Sequence, residues 1–207
     1  MRRLAFALAL LAAQLAAAGA PPRIVYSKFF KGSVPEYVAI SVEKNGQVIY
    51  KEAPEDERPL RFQLTEAQAA EIFALAEKLS HFSRVLESPL KVAHMGMKTF
   101  RWEDGGAATE AKFNYTEDAD ARQLSDWFER MIETEQDFYI VERAVKFDKL
   151  GVNQALLQLQ TTVERKRLVA PAQFLPLLDR VVKNESYMHM ARERAASLAE
   201  SFRKSEP

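Results

Sequence analysis

Four of the six methionines flank two of the three histidines, in His94-Met95-Gly96-Met97 and in Met188-His189-Met190. A thioether beside an imidazole is a donor set for monovalent copper. The soft sulfur stabilises the reduced ion and, unlike a thiolate, does not pair into a disulfide in an oxidising compartment. His94, Met95, Met97, Met188, His189 and Met190 are therefore the candidate metal ligands, and copper is the candidate cofactor. If residues 188–190 are helical they point about 100° apart, so a single ion held by both segments requires the segments to meet in space. Methionine also fills irregular gaps in cores, and that bland explanation competes with ligation at all four positions.

Other groups have weaker claims. His81, at the end of a helical pattern, has the chemistry of a general base, but a cation there also suits the helix dipole. Glu133 with Glu135, and Glu142 with Asp148, are pairs that could divide acid and base work. Offsets of two and six put the members of each pair on different helical faces, which favours a charged outer surface. Asn114-Tyr115-Thr116 and Asn184-Glu185-Ser186 match the glycosylation triplet and are expected to stay unmodified. Arg165-Lys166-Arg167 is read as the last turn of a helix, not as a nucleic-acid track, because no aromatics are interleaved. No nucleophile elbow, His-Glu-x-x-His, P-loop or dinucleotide fingerprint occurs, and seven glycines give little material for a phosphate-cradling loop.

The 207 residues are enough for one or two domains. Acidic and basic residues balance at 29 each, so no overall field draws the chain to nucleic acid. Met1-Arg2-Arg3 followed by an apolar run to Ala18 reads as an export leader, with cleavage after Ala18 preferred to the Ala20-Pro21 bond. Losing Arg2 and Arg3 with it leaves a net charge of −2. No later run is long and apolar enough to span a membrane, so the mature chain is expected to be soluble and periplasmic or secreted. Cysteine is absent, which excludes disulfides and thiolate chemistry. Such a protein must hold its fold by its core alone.

The elements that would position these groups change character along the chain. Ile24–Lys51 is β-patterned, with Val38, Ile40 and Val42 alternating and Asn45-Gly46 signalling a tight hairpin to Val48–Tyr50. Residues 53–60 read as a charged loop. Thr65 and Gln68 fit a capping box ahead of a helix buried through Ala69, Ile72, Phe73, Ala76 and Leu79. A second hairpin turns at Asp104-Gly105-Gly106, with Phe100 and Trp102 expected to face Phe113 and Tyr115. A long amphipathic helix over 118–149 follows, its buried face including Trp127 and Phe128. Asn153 is placed to cap the next helix. The expectation is an α+β protein: antiparallel hairpins with one packed helix over 19–115, then an all-helical portion over 116–207 comprising a long helix and an αα-hairpin, on one mixed core after a leader at 1–18.

Two stretches resemble known families. Phe30-x-Gly32-Ser33-x-Pro35-x-Tyr37, continuing to Asn45-Gly46-x-Val48-x-Tyr50, resembles the opening of a domain of unknown function in exported bacterial proteins, over about residues 24–82. That family often carries cysteines near the Gly-x-x-Pro turn, where this chain has Ser33 and Val34. Phe174-Leu175-Pro176-Leu177-Leu178-x-x-Val181, with Asn184-Glu185 and Ala191-Arg192-x-x-Ala195-Ala196, resembles a single HEAT unit. The resemblance implies close helix pairing at Arg192, Ala195 and Ala196, and a protein-binding surface related to solenoids. A lone unit cannot bury its own apolar face.

These features point to an exported, non-enzymatic module that binds another exported or envelope protein. The alternatives are a periplasmic copper-handling protein using the methionines and histidines, and a carboxylate-dependent hydrolase.

Overall fold

The computed structural model describes residues 21–205. The leader expected over 1–18, with its choice of cleavage site, lies outside them. Six strands, β1 (Arg23–Phe29), β2 (Tyr37–Glu43), β3 (Gln47–Lys51), β4 (Leu60–Gln63), β5 (Met97–Asp104) and β6 (Ala107–Phe113), form one sheet in the order β4-β3-β2-β1-β5-β6. Five α-helices accompany them: α1 (Glu66–Lys78), α2 (Ala119–Phe147), α3 (Val152–Glu164), α4 (Leu175–Lys183) and α5 (His189–Ser205). The α+β class read from the pattern is the one observed, and no described helix is long and apolar enough to cross a membrane. The chain forms two compact units, whose main division falls inside α2, between Leu124 and Ser125; the short segment Phe62–Thr65 groups with the second.

Both expected hairpins form; the first differs from the expectation in its turn and the second in its register. Lys44, Asn45 and Gly46 make a three-residue loop in which the Gly46 N–H donates to the Glu43 carbonyl at 2.9 Å and Gly46 sits at φ +83°. This is a type I turn followed by a left-handed residue, not the two-residue mirror turn that Asn-Gly suggested. Gly105 and Gly106, at φ +55° and +95°, close the second hairpin in two residues and set Asp104 opposite Ala107. That register puts Phe100 opposite Ala111 and Trp102 opposite Thr109, while Phe113 faces Lys98. The Phe113 ring still lies 5.1 Å from Phe100, reaching it diagonally. β4 begins at Leu60, at the end of the stretch read as a loop, and forms one edge of the sheet.

In the first unit Ile24, Tyr26, Val38, Ile40, Val42, Val48 and Phe100 alternate onto one buried sheet face. α1 covers it with Ile72, Phe73 and Ala76, and the Phe73 ring stands edge-on to Trp102 at 5.7 Å. After α1 the backbone makes a left-handed turn at Ser80, His81 and Phe82, with φ of 52°, 49° and 64°; it carries Phe82 into the core, 5.2 Å from Phe100. On the other face, Glu103 accepts from both Arg23 and Arg101. Burial raises the Glu103 pKa, but these hydrogen bonds outweigh it and hold the carboxyl below its ordinary value.

The second unit is helical. Trp127 and Phe128 are buried, as the periodicity of α2 required. Its core gathers Val141, Val145, Leu156, Leu159, Phe174, Leu178 and Phe202. Phe174 stands edge-on to Phe138 at 5.5 Å. α4 and α5 form the expected helical pair, with Ala191, Ala195 and Ala199 buried at four-residue spacing and Ala196 exposed.

Candidate functional site

The turn between α2 and α3 is short, so the two helices run back along each other. Asp148 shapes it: the Gly151 N–H donates to the Asp148 carbonyl at 3.1 Å and to its carboxylate at 3.0 Å. A Cβ at Gly151 would lie 2.3 Å from the Asp148 carboxylate, so a larger residue there would have to displace that side chain from the turn. Asn153, expected to cap α3, lies one residue inside the helix instead, and its side-chain oxygen accepts from Arg194 at 3.4 Å.

Two adjoining clefts, of about 440 Å³ and 450 Å³, run along the α2–α3 hairpin and share Gln154 and Gln158. The first is polar, lined by Glu133, Gln136, Asp137, Thr161, Thr162 and Arg165 among others. The second is bordered by Tyr139, Ile140, Phe147 and Ala155. Tyr139 is 58% exposed and Phe147 82%, and Leu150, in the turn, is 79% exposed. A polar trough thus continues into an exposed aromatic shelf.

Most charged groups around the trough are committed. Glu133 accepts from Arg167 at 2.5 Å, and Asp126 accepts from the same guanidinium at 2.9 Å. These hydrogen bonds raise the Arg167 pKa and keep it cationic. The basic run therefore does not form a helix's last turn: α3 ends at Glu164, Lys166 turns left-handed at φ +56°, and Arg167 folds back onto α2. Asp137 is 4% exposed; its Oδ1 accepts from Gln158 at 2.8 Å, and its Oδ2 is buried without a partner. Glu135 is 1% exposed, and its Oε1 accepts from Gln173 at 2.9 Å. Burial pushes its pKa up to about 7, against the smaller lowering effect of that bond. Thr134, fully buried beside it, donates to the Arg130 carbonyl at 2.9 Å and accepts from the Val169 N–H at 3.1 Å.

No family model and no curated protein matches the chain.

The other expected residues divide between the two units. His81 stacks on Trp102 at 4.2 Å, a packing role. Glu133 and Glu135 engage Arg167 and Gln173 respectively; Glu142 pairs with Lys146 at 2.8 Å, and Asp148 serves the turn. Asn184 Oδ1 accepts from the Ser186 N–H at 2.9 Å, shaping the loop before α5. His94, Met95 and Met97 lie in the first unit, and Met188, His189 and Met190 in the second. All six side chains are exposed, the methionines by between 41% and 61%, so core packing does not account for them. His189 forms an ion pair with Glu193 at 3.2 Å. Among the described residues no group of three or more His, Asp or Glu side chains is placed to hold a metal ion.

The loop carrying His94 is clamped. Asn114 Oδ1 accepts from the Met95 N–H at 2.7 Å, its amide nitrogen donates to the Ala93 carbonyl at 3.0 Å, and its own N–H donates to Glu87. The side-chain amide that glycosylation would modify is thus already in use. Gly96 sits at φ +96°, where a Cβ would come within 2.8 Å of the Phe30 Cβ. Gly96→Ala is expected to lower the stability of the sheet unit by about 1–3 kcal/mol, from the left-handed backbone and that clash together. Urea denaturation in a Trp127→Phe background, followed by Trp102 fluorescence, measures it, and an unchanged midpoint would show that the loop yields.

Of the buried polar row Thr134, Glu135 and Asp137, the sequence pattern raised only Glu135, and its expected place on a charged outer surface is overturned, because the residue is buried. The row's one signal was that polar residues occupy three positions next to the apolar stripe of α2.

Proposed function

We propose that this protein is an exported, non-enzymatic binding module that holds a partner protein in the groove between α2 and α3. The observation that carries this is the exposed pair Tyr139 and Phe147 lining the cleft that adjoins a polar trough, with exposed Leu150 in the turn that follows. Large aromatics left in water beside a concave surface are the usual anchors of a protein interface, because a partner can remove them from water at small side-chain entropy cost. The trough adds selectivity through its polar lining, in which the accessible side-chain amides of Gln136 and Gln154 can accept from a hydrogen-bond donor. The partner chemistry that fits is a segment of an exported or envelope protein carrying an apolar side chain next to an amide or amine donor.

A photo-crosslinking amino acid placed at Tyr139, and in a second preparation at Glu185 as an exposed control, tests this in envelope extracts of the producing cells. One partner should crosslink from position 139 and not from 185. Its yield should fall at least about tenfold with Phe147→Ser, the effect of removing one interface anchor. Equal labelling from both positions, or a yield indifferent to Phe147→Ser, would remove the proposal. Phe147 is exposed enough for the variant to fold.

A further inference from the structure

We propose that the loop of residues 94–97 in the sheet unit is a site for monovalent copper, with the His94 imidazole and the Met95 and Met97 thioethers as donors. This goes beyond the groove and does not depend on it.

Three observations carry it. Met95 is 58% exposed and Met97 41%, and His94 is exposed beside them. A flexible apolar side chain left in water at two of four consecutive positions has no packing reason to be methionine. Second, the backbone that presents these side chains is held without them. Asn114 brackets Ala93 and Met95, Gly96 is pressed against Phe30, and Met97 pairs with Phe29 at the start of β5. Holding the loop through its main chain leaves the side chains available and lowers the ordering cost of binding. Third, the donors are sorted by chemistry. One oxygen of the Glu87 carboxylate already accepts from the Asn114 N–H, and among the described residues no hydrogen-bonding group engages the His94 ring, which stands edge-on to Phe30 at 6.1 Å.

The set that remains is one nitrogen and two soft sulfurs. Thioether sulfur and neutral imidazole suit a d¹⁰ monovalent ion that accepts two or three ligands, whereas calcium or magnesium would demand several oxygens. The same argument ranks this loop above Met188-His189-Met190, whose imidazole is already paired with Glu193. Binding takes up and releases the ion as Cu(I), with no change of oxidation state.

Anaerobic titration of the whole mature chain with Cu(I), against a coloured Cu(I) chelator, tests the site. One ion should bind, at about 1 μM or tighter. Met95→Leu with Met97→Leu should weaken binding at least about 100-fold, consistent with losing two of three ligands. His94→Ala should weaken it as well, and Met188→Leu with Met190→Leu should leave it unchanged. All these positions are exposed, and a matching thermal melt confirms that each variant is folded. Failure of the wild-type chain to take copper from the chelator would overturn the proposal. So would an affinity untouched by the Met95 and Met97 changes, or one lost through Met188 and Met190.

Discussion

Phe100→Ala is expected to destabilise the sheet unit by about 3–5 kcal/mol, a large share of the roughly 5–15 kcal/mol that holds a domain folded. The ring is fully buried and is the hub of an aromatic cluster, 5.8 Å from Tyr26 on β1, 5.2 Å from Phe82 in the left-handed turn and 5.1 Å from Phe113 on β6. Those neighbours come from three separate elements, each fixed by its own backbone, so they cannot close together over the space left behind. The upper part of the range follows, since the cost grows with residual cavity volume. The chain has two tryptophans, and Trp102 and Trp127 fall in different units. Urea unfolding of Phe100→Ala in a Trp127→Phe background, followed by Trp102 emission, therefore reports on the sheet unit. A loss under about 1 kcal/mol would mean that the cluster repacks.

Glu135 should make the helical unit less stable as pH rises. Its folded-state pKa of about 7 lies above the ordinary 4.5, so the native state holds a proton that the unfolded chain has released. Where the native state binds more protons, stability falls with increasing pH. The loss runs from about pH 4.5 to about pH 7 and then levels off, reaching on the order of 3 kcal/mol at one pKa unit per 1.4 kcal/mol. The physical cause is the removal of a carboxylate from water with only the Gln173 amide in exchange, its Oε2 having no partner. Glu135→Gln keeps the shape and the acceptor for Gln173 while removing the charge. The stability of the variant relative to the wild type should rise by on the order of 3 kcal/mol between pH 4 and pH 8, any cost of an amide N–H₂ left unbonded being the same at both. Denaturation at the two pH values, followed by Trp127 emission in a Trp102→Phe background, measures the difference. A constant gap between variant and wild type would rule out titration of Glu135 in this window.

Local pattern made much of this architecture legible. Alternation through Val38, Ile40 and Val42, and the helical spacing of Leu124, Trp127, Phe128 and Met131, reflect the two periods on which burial of one face depends, and both appear as expected. Turn geometry was less accessible. Asn45-Gly46 closed a three-residue loop because only Gly46 takes the left-handed conformation, and the Gly105-Gly106 turn moved Phe113 away from Phe100 in the register. Leu60–Gln63 was too short to announce itself as a strand, since its place depends on β3 beside it. The α2–α3 groove was hidden for a related reason. Glu133, Asp137, Gln158 and Arg165 look like an ordinary solvated surface until the turn at Asp148–Gly151 brings two helices alongside each other. The exposure of Met95 and Met97 was equally invisible, because sequence cannot distinguish a core filler from a presented ligand.

β1 joins β2, which follows it after a short connection, and β5, whose paired residues lie as many as 80 positions downstream. Its second side can pair only once a segment almost half the polypeptide away has come back to it, while the hairpins beside it close through local contacts. An idle strand flank is a template for unwanted aggregation, and late closure of such distant pairings is slow. The sheet thus consists of two locally connected ribbons joined along β1, and the exposed flank of that strand is the place where a partly folded chain is most open to mispairing.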